Sequence, residues 1–145
     1  MIVLDTTVLI YAAGSDHALR EPCRALIAAV GEGRLLATTT VEVVQEFAHV
    51  RARRRGRDDA ADLAEAYAGL LSPLLSVDAG DLDAGLQLYR GHDDLGAFDA
   101  VLAATSMRRE HVTALVSADV AFSRIRGLRH LDPAQPDFVA ELGIR

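Results

Sequence analysis

Ile2-Val3-Leu4-Asp5-Thr6-Thr7-Val8-Leu9-Ile10-Tyr11 runs apolar into a single acid at position 5 and continues apolar beyond it. Met1 to Leu4 has the length, β-branching and unbroken apolarity of a strand buried on both faces, as in parallel sheets covered by helices. It is the candidate central strand. A carboxylate placed directly after such a strand sits at the carboxyl edge of the sheet, where open α/β folds collect their ligands. Asp5 can equally be the N-cap of a helix beginning at Thr6 or Thr7, a role that contributes about 1 kcal/mol. The stretch alone leaves both roles open.

Outward from this strand, helical and strand-like segments alternate. Thr6 to Ala13 reads as a short helix and Gly14-Ser15-Asp16 as a turn. His17 to Val30 carries Leu19, Cys23, Leu26, Ile27 and Val30 at helical spacing and is stopped by Gly31-Glu32-Gly33. Leu35 to Thr38 is a second strand, and Thr39-Thr40 caps a helix from Val41 to about Arg54. Asp58 to Leu71 is a further helix, ended by Ser72-Pro73. Leu74 to Val77 reads as a third strand, followed by a helix capped by Asp78 that reaches about Tyr89. Phe98 to Arg109 is helical, Thr113 to Ser117 a fourth strand, Val120 to Arg124 one helical turn, and Leu128 to Leu131 a fifth strand before a Pro-containing tail. The expected fold is α/β: a three-layer α/β/α domain over residues 1–145 with a central, mainly parallel sheet of four or five strands.

With 145 residues, half of them apolar, the chain can bury the core of one domain. Its single cysteine, Cys23, cannot form an internal disulfide, so packing must hold the fold and a reducing cytoplasm is the expected setting. No basic-then-apolar leader and no long uncharged apolar run is visible, and no membrane association is expected. A net charge of −6 argues against holding nucleic acid by bulk charge, yet it permits a nuclease whose acids are neutralised by bound metal. All 15 basic residues are arginines. Without lysine there is no P-loop chemistry. Haloacid-dehalogenase-like phosphatases and response-regulator receivers, which use a lysine, are disfavoured on the same ground, and the former also want a second Asp at Thr7.

Several further acids fall near strand ends on this plan. The helix from Val41 carries Glu42 and Glu46; Val41, Val43, Val44, Phe47, Ala48 and Val50 define its apolar side, with Glu42 in the middle of the polar side and Glu46 at its border. The border position can reach a cleft at the sheet edge, although both glutamates can also be ordinary solvated residues. Asp99 interrupts an otherwise buried-looking helix start, Leu95 to Ala104, and needs either first-turn amides or a cation. Asp119 comes two residues past the buried strand Thr113 to Ser117, and it too can be a helix cap.

Four blocks carry a resemblance: Ile2-Val3-Leu4-Asp5-Thr6-Thr7-Val8-Leu9-Ile10, Thr40-Val41-Glu42-Val43-Val44-Gln45-Glu46-Phe47, Phe98-Asp99-Ala100-Val101-Leu102-Ala103-Ala104-Thr105, and Leu115-Val116-Ser117-Ala118-Asp119-Val120-Ala121-Phe122. In this order they resemble the PIN domains, small metal-dependent ribonucleases, and among them the VapC-type toxins of toxin-antitoxin pairs. The resemblance implies an acidic quartet of Asp5, Glu46, Asp99 and Asp119, products with 5′-phosphate and 3′-hydroxyl ends, a homodimer, and a VapB-type antitoxin partner. Thr7 stands where the family often has Asn, and Ser117 where Thr is common. Both keep a side chain able to hydrogen-bond.

Four carboxylates drawn together raise one another's pKa unless a cation lies between them. An all-oxygen donor set favours Mg²⁺ or Mn²⁺. Asp5, Asp99 and Asp119 are therefore expected to coordinate metal, Glu46 to coordinate it or orient the attacking water, and Thr6 and Ser117 to donate hydrogen bonds to the ligands. Arg51, Arg53, Arg54, Arg55 and Arg57 form a cluster that can hold RNA phosphates or simply end a solvated helix. Arg108-Arg109 and Arg124 with Arg126 are weaker versions of the same pattern. Asp93 and Asp94 are expected in a turn, with an approach to the cleft left open. The competing functions are a non-catalytic PIN-like protein-binding module and a PIN nuclease of RNA processing.

Overall fold

A computed structural model describes residues 1–144. Their elements, in chain order, are β1 (Ile2–Leu4), α1 (Thr6–Ala13), α2 (Arg20–Gly31), β2 (Ala37–Thr38), α3 (Val41–Arg55), α4 (Arg57–Leu70), α5 (Ala79–Gly91), α6 (Ala97–Met107), β3 (Ala114–Val116), a 3-10 turn (Val120–Arg124), β4 (His130–Leu131) and α7 (Phe138–Glu141). The strands form one parallel sheet in the order β2-β1-β3-β4. Val3 is level with Thr38 on one side and Leu115 on the other, and Leu4 with Val116.

β1 is central, as its apolarity predicts. Val3, Leu4, Leu115 and Val116 are wholly withdrawn from solvent, which requires helices on both faces of the sheet. Each such side chain stabilises the fold by roughly 1.5–3 kcal/mol relative to exposure. From β1 the chain moves outward to β2 and later returns to β3 on the opposite side, so the strand order reverses between β1 and β3. In a sheet of this order the crevice opens at that reversal, beyond the carboxyl ends of the two strands. Asp5 and Ser117 are the residues that leave them.

Helix packing fixes the remaining geometry. Gly56 joins α3 to α4 at φ 87°, a left-handed conformation that suits glycine, and lets the two helices fold back on each other. Phe47 and Tyr67 meet edge to face between them with ring centroids 5.1 Å apart. At Gly85 an added Cβ would lie 2.7 Å from the Val101 Cα, so α5 approaches α6 more closely than any side chain would allow.

Three expectations need correction. Leu74 to Val77 does not form a strand: a single bridge joins Leu75 to Thr40, with the Leu75 N–H 2.9 Å from the Thr39 carbonyl oxygen. The segment lies outside β2, where Leu74 and Leu75 are only half-buried and Ser76 is exposed, and Asp78 already begins the capping box of α5. The sheet thus has four strands, the lower of the two expected numbers. α2 starts at Arg20, not His17, and the tail carries the short α7, whose Phe138 reaches the core. No helix among the described residues is long and apolar enough to cross a membrane.

Candidate active site

At the strand reversal Asp5 is 3% exposed, and its backbone N–H donates to the Val116 carbonyl oxygen at 2.9 Å. Its Oδ2 accepts from Ser117 Oγ at 2.6 Å and from Thr7 Oγ1 at 3.0 Å. Both hydroxyls are themselves acceptors, Ser117 Oγ for the Asp119 N–H and Thr7 Oγ1 for the Ala118 N–H, each at 3.0 Å. Each hydroxyl accepts from one amide and has one hydrogen to give, and that hydrogen goes to Asp5 Oδ2. Although Asp5 occupies the N-cap position of α1, its side chain makes no cap bond. The capping alternative for Asp5 is not what these contacts describe.

Glu46 comes from the second turn of α3 and faces α1, where its Oε2 accepts from Thr6 Oγ1 at 2.8 Å. Glu42 departs from its expected place in the solvated middle of the helix. Glu42 borders a small cleft with Val77, Phe98 and Leu102, and its Oε2 is buried without a hydrogen-bond partner among the described residues. Val41, expected on the apolar side, is 55% exposed.

Asp99 lies in the first turn of α6, behind a Gly96 N-cap, and makes no side-chain hydrogen bond among the described residues. Burial pushes its carboxyl up to about 7, helped by the negative charges of Asp5, Asp119 and Glu46 in that order. The other three expected acids are thus near enough to Asp99 for their charges to act on it. Asp119 does cap the 3-10 turn, its Oδ1 accepting from the Ala121 N–H at 2.9 Å, which leaves Oδ2 for other partners. No arginine or histidine forms an ion pair with any of the four among the described residues.

The donor set suits a hard divalent cation: oxygen atoms only, one acid raised to about 7 by burial and then by its acidic neighbours, and no ion pair to the four among the described residues. As the side chains lie, no three of them among the described residues converge closely enough to share one ion. Asp5 and Glu46 are anchored by hydroxyls, whereas Asp99 has no tether and is the side chain free to swing inward.

The arginine cluster divides. Arg51 is committed to structure: its Nε donates to Asp59 Oδ1 at 2.6 Å and its Nη1 to the Ala13 carbonyl oxygen at 3.0 Å, tying α3 to α4 and α1. This corrects its expected place among phosphate contacts. Arg53, Arg54, Arg55 and Arg57 are exposed. Arg108 and Arg109 are likewise consumed, both by Asp81, and Arg124 pairs with Asp94. Asp93 is exposed in its turn. Thr7, expected from the resemblance only to keep a side chain able to hydrogen-bond, gives its hydroxyl hydrogen to Asp5. His130, whose Nε2 lies 2.8 Å from the Ser117 carbonyl oxygen, carried no signal by itself.

Comparison with known proteins places this geometry. Residues 2–128 match the model of the PIN domain. The chain belongs to the PIN-domain family, and within it to the VapC-type proteins. It is 49% identical to Ribonuclease VapC7 of Mycobacterium tuberculosis, over 149 aligned positions that span all of both chains. The fold is that of the toxin in VapBC2 from Rickettsia felis, a complex solved on a DNA fragment from its promoter (TM-score 0.69, 16% identity, 91% of this chain and 98% of that one). It is equally that of VapC20 of M. tuberculosis, a sarcin-ricin loop cleaving toxin (TM-score 0.68, 16% identity, 89% and 99%).

Proposed function

We propose that this protein is a Mg²⁺- or Mn²⁺-dependent endoribonuclease, the cytoplasmic toxin of a toxin-antitoxin pair, acting as a homodimer and restrained by a VapB-type antitoxin. The observation that carries the reading is Asp99: an acid pushed up to about 7 by burial and, further, by three neighbouring carboxylates, with no ion-paired arginine or histidine on any of the four among the described residues. A module that only docks a partner has no use for such an arrangement. Full-length identity of 49% to a protein named as a ribonuclease supports the same conclusion.

In this reading Asp5, Asp99 and Asp119 hold the ion, and Glu46 either joins them or orients the attacking water through Oε1, its Oε2 being occupied by Thr6. Ser117 and Thr7 fix the direction of the Asp5 carboxylate before any ligand arrives, so the reordering on binding falls to Asp99. The ion, once bound, supplies the positive charge that polarises a phosphodiester under in-line attack and favours ionisation of the water. Asp99 must give up its proton to take part, so metal binding below pH 7 releases a proton. Arg53, Arg54, Arg55 and Arg57 hold phosphates of the RNA flanking the scissile bond. Cleavage leaves 5′-phosphate and 3′-hydroxyl ends.

The test is cleavage of defined RNAs by the purified chain with Mg²⁺, with Mn²⁺ and after chelation, paired with growth of bacteria expressing it. Metal-restored cleavage and growth arrest, relieved by co-expression of a small protein encoded beside it, are the expected results. Cleavage that survives chelation overturns the metal assignment. Arrest that persists in Asp5→Asn shows that harm does not come from cleavage, and growth indifferent to the wild-type chain leaves a PIN nuclease of another kind.

A further inference from the structure

Between β3 and β4 the ladder runs by a fixed rule: the Leu115 N–H donates to the Arg129 carbonyl oxygen at 2.9 Å, and the Ser117 N–H to the Leu131 carbonyl oxygen at 3.1 Å. Continued by one step, the Ser117 carbonyl would accept from the backbone nitrogen of residue 133. Residue 133 is proline and has no N–H to give. The strand accordingly stops at Leu131, and Ser117, which is fully buried, is left with a carbonyl that water cannot reach. The His130 Nε2 occupies the vacancy at 2.8 Å. Because a carbonyl can only accept, the ring nitrogen there carries the hydrogen. The ring rests on Phe122, with centroids 5.9 Å apart.

Ser117 is the point from which two members of the acidic quartet are set. Its Oγ donates to Asp5 Oδ2 and accepts from the Asp119 N–H. We propose that His130 is a positioning residue of the site, replacing the ladder hydrogen bond that Pro133 cannot make and so fixing Ser117, and through it the Asp5 carboxylate and the Asp119 turn. The inference deepens the ribonuclease reading and rests on it for its catalytic consequence, though not for the contact itself. A side-chain donor in place of a backbone one has a structural use: the backbone of residue 133 is released from the sheet directly after β4, and the chain turns away through Asp132, which caps the Ala134 N–H at 2.8 Å.

The test compares three variants of the full chain. His130→Phe keeps a ring against Phe122 and removes the donor. His130→Gln places an amide N–H at the reach of the imidazole Nε2. Pro133→Ala, combined with His130→Phe, gives the ladder back its own N–H. Two readouts are used: kcat and KM for RNA cleavage in Mn²⁺, and amide hydrogen exchange of the metal-free protein at Ala118 and Asp119. His130→Phe should lower kcat about ten-fold, within the range for residues that hold ligands in place, with KM unchanged, and should speed exchange at both amides. His130→Gln and the Phe/Ala double variant should each restore both. Wild-type kcat and exchange in His130→Phe would overturn the proposal, as would defects that neither rescue repairs, since these would trace to packing on Phe122. If the wild-type chain cleaves no RNA in any metal, the ribonuclease reading fails and the exchange data alone decide whether His130 holds Ser117.

Discussion

Asp81 and Asp99 are both carboxylates withdrawn from water on the α5–α6 side of the molecule, and the protein treats them in opposite ways. Asp81 is wholly buried and receives Arg108 Nε and Arg109 Nη1 at 2.9 Å, Arg109 Nη2 at 2.6 Å and the Asp78 backbone N–H at 2.9 Å. The Arg109 hydrogen bonds, more than any other contact, hold its carboxyl down at about 2. Among the described residues Asp99 has neither arginine nor hydrogen bond, and it is pushed up to about 7 by burial and by three other acids. A chain with 15 arginines, able to satisfy one buried acid with two of them, leaves the quartet without any among the described residues. The difference separates an acid neutralised within the protein from acids left without a counter-charge among the described residues.

The largest effect should come from removing charge where the protein supplies no cation. Asp5→Asn and Asp99→Asn should each lower metal-dependent RNA cleavage on the order of 10³-fold, about 4 kcal/mol of barrier, with the fold retained by circular dichroism. Full activity in either purified variant would remove the quartet from the chemistry. At the other acid the outcome is inverted. Asp81→Ala strands Arg108 and Arg109 and should destabilise the protein by about 3 kcal/mol in urea unfolding, with cleavage per folded molecule unchanged. A stable Asp81→Ala protein would mean that the buried ion pair is not what joins α5 to the end of α6.

Glu46→Gln should cost roughly 10- to 100-fold in activity and Glu42→Gln a few-fold at most, because Glu46 bonds to Thr6 at the strand reversal whereas Glu42 borders a separate cleft with Val77, Phe98 and Leu102. Equal losses would place both glutamates in the site.

The two aspartates also predict different responses to pH. Asp99 binds its proton more tightly folded than unfolded, so its contribution to metal-free stability is present below about pH 4 and declines as pH rises through about 7. Asp81 is the reverse: its contribution is complete above about pH 4 and is lost only as pH falls through about 2. Between pH 4 and 7, therefore, only Asp99 acts. Metal-free Asp99→Asn should match the wild type near pH 4 and exceed it by about 1–2 kcal/mol at pH 7.5, and saturating Mn²⁺ should reverse that order. A difference independent of pH would contradict the crowding of the quartet.

What the sequence revealed and what it concealed follow from how local each signal is. Asp5 stood out because a fully apolar strand ran straight into it, and Glu46, Asp99 and Asp119 lay near strand ends, but only the ordered resemblance to PIN domains joined the four into one candidate set. Leu74 to Val77 was misread because an edge segment and a central strand share their composition, and only the missing cover beyond β2 tells them apart. The Asp81–Arg109 pair and the His130–Ser117 bond span 28 and 13 residues. Neither leaves a periodic trace, and the arginine cluster looked uniform until Arg51 was seen to be spent on Asp59.

That last division gives the smallest effect, and it sharpens the contrast between basic groups bound within the protein and those left free. Arg53, Arg54 and Arg55 are exposed in the final turn of α3, and Arg54 and Arg55 border a small cleft floored by Ile10, Phe47 and Val50. Arg54 lies eight residues along α3 from Glu46, roughly 12 Å at 1.5 Å per residue. A single-stranded RNA with its scissile phosphate at the quartet can span that distance with a few nucleotides. Replacing the three arginines together by Ser should weaken RNA binding and reduce the slope of log K against log salt by up to about 2, at about 0.7 per phosphate contact, with thermal stability unchanged. Arg51→Ser should do the opposite, lowering stability by about 1 kcal/mol through loss of its charged contacts and leaving the salt slope alone. If the triple variant keeps the wild-type slope, the helix end is merely solvated, and the phosphates must be held by other groups bordering the quartet.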